Sequence, residues 1–154
     1  DALHRWYDTA PASLDEDERT VAASLLWLLR GDAGQRAIVA HAMAWAPAQQ
    51  ASGTRWMAPH LAQLLDDPYD ALRLAGARTL RSIEGFSAFS TDAGAPPALR
   101  RQSQLQVMAI WNRTRVTTAA PDPALLLTAT GDVDITRIRA VLRRRNNRPM
   151  LLRE

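Results

Sequence analysis

Three histidines, His4, His41 and His60, are the side chains of this sequence best suited to hold a metal or move a proton. They lie on separate stretches, and no two have the His-x-x-x-His spacing that places two imidazoles on one helix face. His41 and Met43 stand two positions apart, so on a helix they diverge and cannot both reach one iron. All three are expected to be packing or surface histidines, with His4 the one near enough to the start of the chain to touch a group upstream. The acidic run Asp15-Glu16-Asp17-Glu18 points around a helix rather than at one cation, which suits the positive end of a helix. In Asp66-Asp67-Pro68 the spacing predicts that Asp67 caps a helix with Pro68 in its first turn and Asp70 near its positive end. No serine has a Gly-x-Ser-x-Gly setting, so no nucleophile is assigned. The chain has no cysteine, which removes disulfides, thiolate metal sites and covalent haem attachment within these residues. Catalytic, cofactor-binding and metal-binding roles are therefore assigned to none of its residues.

Contact with a partner is the chemistry that remains. The last third gathers Arg137, Arg139, Arg143, Arg144, Arg145, Arg148 and Arg153 against few acids. An arginine stripe of this kind can bind phosphate, so a nucleic-acid module is an alternative reading. The overall balance is mild, however, at 19 basic against 16 acidic residues and a net charge of +3. A solvated or protein-facing cluster is the expected role. Five tryptophans, at 6, 27, 45, 56 and 111, are numerous for 154 residues. Trp27, Trp45 and Trp111 are expected in the core, whereas Trp6 and Trp56 start their elements and are expected at an interface. The candidate partner interface is thus Trp6, Trp56, Arg143, Arg144, Arg145 and Arg148.

Helices must position these groups, because the chain is rich in Ala and Leu and its apolar residues recur at three and four. After a short entry segment over 1–8, the first long helix is expected from Asp15 to Arg30, with Val21, Leu25, Leu28 and Leu29 as its stripe. Gly31 is expected to end it in a left-handed conformation, and Asp32 with Gln35 has capping-box spacing. The next helix, near 33–46, is expected to bury Gln35, Ile38, Val39, Ala42, Trp45 and Ala46 and to stop at Pro47. A loop over 48–54, a short helix with Trp56, Leu61, Leu64 and Leu65, and a helix running to Ile83 follow. In that helix Leu72, Ala75, Gly76, Thr79, Leu80 and Ile83 face inward and Arg73 faces solvent. A long loop at 85–97 is expected to be pinned by Phe86 and Phe89. Helices over 98–114 and 123–130 and a last one from Asp132 or Asp134 to Asn147 complete the reading. No run approaches the roughly 18–20 apolar residues of a membrane span, so a soluble piece is expected. A start at Asp1 with no methionine suggests an excised or processed fragment.

A shift of about 37 residues lays Leu28 on Leu65, Arg36 on Arg73, Ala40 on Ala77 and Met43 on Leu80. Each copy reads as a helix ending in Leu-Leu, a tight turn, and a second helix with small residues inside and Arg outside. One helical hairpin cannot bury both its faces, so such units stack. Hairpins over 15–46, 56–83 and 98–130 with a capping helix over 132–146 would make one all-α domain from 1 to 154, a HEAT-like superhelix.

The segment LAQLLDDPYDALRLAGARTL at 61–80 resembles a HEAT repeat of the short bacterial type found also in phycobilin lyases, and a bilin lyase-like protein is a further alternative. A closer resemblance, carried by residues 28–56, 64–86 and the closing RRRNNRPMLLRE, is to the helical C-terminal domain of bacterial multihaem c-type cytochrome proteins. Here Asn146 and Asn147 stand where that family usually has an acidic pair. The resemblance implies c-type haem and electron transfer upstream of Asp1, a periplasmic or otherwise extracytoplasmic location, and for this piece a haem-free scaffold that meets the haem region or another protein.

Overall fold

The computed structural model describes Trp6, residues 13–114 and residues 122–149. The chain is all-α, as its periodicity predicts, and the described residues contain no strand beyond one isolated antiparallel bridge between Leu127 and Val133. The element order is α1 (Glu16–Thr20), α2 (Ala23–Arg30), α3 (Ala33–Met43), α4 (Ala46–Ser52), α5 (Met57–Leu61), a 3-10 turn (Ala62–Asp66), α6 (Asp70–Arg81), α7 (Pro97–Thr114), a second 3-10 turn (Pro123–Leu125) and α8 (Ile135–Arg143). Among the described residues only α7 reaches 18 residues, and no helix is long and apolar enough to cross a membrane.

Local chemistry sets most boundaries. Asp15 and Asp32 each form a capping box, with Glu18 and Gln35 respectively. The expected first helix is two, because Val21 is extended (φ −108°, ψ 142°) and separates α1 from α2. Gly31 is extended at φ −60° and not left-handed. Space is what requires it: a Cβ there would lie 2.4 Å from the carbonyl oxygen of Trp27. Pro47 does not stop a helix but sits in the first turn of α4, where its missing N–H costs nothing. α6 begins at Asp70, two residues beyond Pro68, and Asp67 caps no helix: its carboxylate accepts from the Tyr69 N–H at 3.1 Å.

α2 and α3 pack as an antiparallel pair, α6 packs on the 3-10 turn Ala62–Asp66, and α3 against α6 joins the two units. Residues paired by the 37-residue shift share their burial, although a 3-10 turn stands where the second copy's first helix is expected. Leu28 and Leu65, Ala40 and Ala77, and Met43 and Leu80 are all buried. Thr79, on α6, donates its hydroxyl to the Ala40 carbonyl at 2.8 Å and locks the pairs together. Gly76 lets α6 come so close to the 3-10 turn that a Cβ there would meet the Leu64 Cβ at 2.9 Å. Phe86 and Phe89 pin the loop after α6, each 2% exposed.

Beyond these two units the arrangement differs from a third hairpin and cap. α7 packs across α5 and the first 3-10 turn. Where a helix over 123–130 is expected there is one turn, Pro123–Leu125, followed by Leu126 at φ 55° and the bridge to Val133; residues 115–121 lie outside the described residues. α8 does not cap the far end but returns to pack on α2. The Ala22 N–H, bonded to the Ala124 carbonyl at 2.9 Å, fastens the same corner.

Candidate interaction surface

A buried carboxylate organises the molecule. Asp67, fully buried, lies with Oδ2 2.9 Å from Nε of Arg36 and 3.2 Å from Nη1 of Arg145. Arg36, on α3, is also fully buried, and its Nη1 donates to the carbonyls of Gly31 at 2.5 Å and Asn146 at 3.0 Å. Nε of Arg145 donates to the Leu29 carbonyl at 2.9 Å. Two guanidiniums on one carboxylate leave an excess positive charge, which these oriented carbonyls solvate in place of water. Burial pushes Arg145 below the ordinary guanidinium range, and Arg36 adds to this while Asp67 opposes it. Arg73 is the second-unit counterpart of Arg36. Each reaches back five residues, Arg36 to the Gly31 carbonyl and Arg73 to that of Pro68, at 2.5 and 3.1 Å. The arginines expected on the outer faces of α3 and α6 thus point inward.

That inversion rotates α3. Its buried residues are Ala33, Arg36, Val39, Ala40 and Met43, so Ile38, Ala42 and Trp45 face out. Trp27, Ile38 and Trp45 are 49%, 64% and 64% exposed, and the expected core roles of both tryptophans are corrected. Trp111 alone of the three is in the core, with its indole N–H on the Arg55 carbonyl at 2.6 Å. Trp27 and Gln35 share the wall of a depression of about 430 Å³, and Ile38 lies one turn beyond Gln35.

The six residues expected at a partner interface do not form one surface. Trp6 is 86% exposed, but its neighbours lie outside the described residues. Trp56 is half-buried, its ring 6.1 Å from that of His60 and its N–H on the Ser52 carbonyl at 3.1 Å. Arg145 is corrected to a mostly buried residue, its side chain 9% exposed and held by Asp67, with its remaining edge in a groove beside α7 and α8. Arg144 is exposed but bound to Asp15 at 2.6 Å and Asp17 at 3.0 Å, and Arg30 meets Asp15 and Glu18 from the other side. The Glu18 backbone N–H and the Arg144 guanidinium hold the Asp15 carboxyl well below the usual carboxylate range, and Asp15 in turn raises Arg144. Arg143 and Arg148 are exposed without an ion pair among the described residues.

The histidines also separate. His41 is exposed, His4 lies outside the described residues, and His60 is fully buried with Nε2 2.9 Å from the Leu125 carbonyl. A carbonyl only accepts, so Nε2 carries the proton and Nδ1 is left with no hydrogen-bond partner. Burial pushes His60 down to about 4. Among the described residues no three His, Cys, Asp or Glu side chains converge as a metal site.

Protein-family models, curated proteins and solved structures offer no match to this chain.

Proposed function

We propose that this chain is a non-catalytic, HEAT-like scaffold that binds protein, and that it serves as the haem-free C-terminal part of an extracytoplasmic multihaem c-type cytochrome protein acting in electron transfer. The observation that carries the interaction reading is the exposure of Trp27, Ile38 and Trp45 on a hairpin whose opposite side is anchored through Arg36. Large apolar groups left in water on a rigid frame favour burial against a partner, and tryptophan supplies much contact area at small entropic cost. The HEAT-like reading is supported by the equivalent placements of Leu28 and Leu65 and of Arg36 and Arg73. The chain has no cysteine, so its own residues offer no covalent c-type attachment. Haem attachment would lie upstream.

Two measurements test this. A visible spectrum with a pyridine haemochrome assay on the full-length native protein is expected to show c-type haem that residues 1–154 lack; a colourless protein overturns the cytochrome context. Amide hydrogen exchange should be slower over residues 27–45 in the full-length protein than in the 154-residue chain. Equal exchange overturns the docking of that face on the parent protein.

A further inference from the structure

α7 and α8 face a groove that no described element fills. On α7 it is walled by Arg101 and Leu105, on α8 by Ile135 and Arg139, and at its edges by Asp66 and Arg145. Its volume is about 790 Å³. Leu105 is 70% exposed and Ile135 39%, so the apolar walls meet water. The charges are unequal. Arg101 and Arg139 are exposed and make no ion pair among the described residues, whereas the single acid, Asp66, is already paired with Arg100 at 2.7 Å. Arg145 adds a further cation, in a side chain nine-tenths buried, and its Nη2 has no acceptor although Nε and Nη1 are both satisfied. A buried N–H of a charged group left without a partner is costly, and an incoming carboxylate would relieve it.

We infer that this groove is a docking site for an acidic polypeptide segment that also carries apolar side chains. Carboxylates would meet Arg101, Arg139 and the groove-lining Arg145, and the apolar side chains would cover Leu105 and Ile135. The mixture of wall chemistries selects the class of ligand. A nucleic-acid backbone would satisfy the arginines and leave Leu105 and Ile135 wet, and a purely apolar segment would strand Arg101 and Arg139. The assignment rests on the protein-binding reading above only in taking the ligand to be a polypeptide, and it concerns a different face from Trp27, Ile38 and Trp45.

The test is fluorescence anisotropy with the 154-residue chain and a labelled peptide alternating Glu and Leu. Its controls are the same peptide with Lys for Glu, one with Ser for Leu, a labelled DNA duplex, and vesicles containing phosphatidylglycerol. Binding of the Glu/Leu peptide alone is expected, weakening with salt. The variants Arg101→Glu with Arg139→Glu, and Leu105→Ser, alter exposed residues and are expected to melt as the parent does. Each should weaken binding roughly tenfold or more, the loss of about one strong contact. No binding of the Glu/Leu peptide, or binding indifferent to both variants, overturns the inference. Equal or tighter binding of the duplex or the vesicles, lost in the same variants, overturns it in favour of a phosphate surface. If the groove fails while residues 27–45 stay protected in the full-length protein, the scaffold reading stands without it; if both fail, that reading falls too.

Discussion

The guanidinium of Arg145 lies 3.2 Å from the carboxylate of Asp67, 78 positions earlier, and the same carboxylate holds Arg36 from 31 positions before it. One buried anion therefore joins the first helical pair, the second and the segment that follows the last helix. Removing it leaves two buried cations uncompensated.

Asp67→Leu is expected to destabilise the chain by about 3–5 kcal/mol, read as a shifted urea midpoint. Arg145→Met should cost distinctly less, because Arg36 still neutralises Asp67. The double variant Arg36→Met with Asp67→Leu should lose less than the sum of its singles, since Arg36→Met removes one of the two cations that Asp67→Leu alone would strand. Additive losses would show that the contact carries no coupling.

His60 makes stability depend on pH. Its folded value of about 4 lies below the ordinary 6.5, so the unfolded chain takes up the proton more readily. The stabilisation is complete above pH 6.5 and is lost progressively as pH falls toward 4, by about 3 kcal/mol. His60→Gln keeps a donor for the Leu125 carbonyl and should flatten the urea midpoint across that window. An unchanged pH slope would locate the titrating group elsewhere.

Gly31→Ala and Gly76→Ala should each cost about 1–3 kcal/mol by thermal melting, through overpacking rather than backbone strain. At Gly31 the obstacle is the Trp27 carbonyl and at Gly76 the Leu64 Cβ, and neither is the tip of a flexible side chain. Wild-type melting of either variant would mean that the helices have room to part.

The tryptophans should divide by position. Trp45→Ser, at an exposed site, should change stability by no more than about 0.5 kcal/mol, whereas Trp111→Ala should lose about 3–5 kcal/mol. Urea titrations of both variants check this, and a large loss at Trp45 would place it in a contact within the chain.

Much of this architecture is legible in the sequence, and the part that is not has a common cause. The capping box at Asp32 and the Leu-Leu ends of two units follow from short-range spacing. The burial of Arg36 does not, because a charge on a helix reads as a solvent-facing residue unless its distant partner is known. Placing Arg36 outside turns the predicted inner face of α3 toward Ile38 and Trp45, which face water. The shift of 37 residues held a clue, since it sets Arg36 on Arg73 and the same side chain recurring in equivalent units points to a shared contact. The groove between α7 and α8 was beyond sequence reading: Arg101 and Arg139 are brought together by the return of α8 to α2, which no local pattern encodes.

That return also decides how the molecule bears load. Asp15 and Arg144 touch, and the Asn146 N–H donates to the Arg30 carbonyl at 2.9 Å, so the incoming and outgoing strands of the chain meet at one corner. Tension applied between residues 13 and 149 would fall on these contacts and draw Asn146 away from Arg30. Only after Arg145 had been drawn from Asp67 would the force reach the paired helices, which gives the assembly a sacrificial clasp ahead of its core.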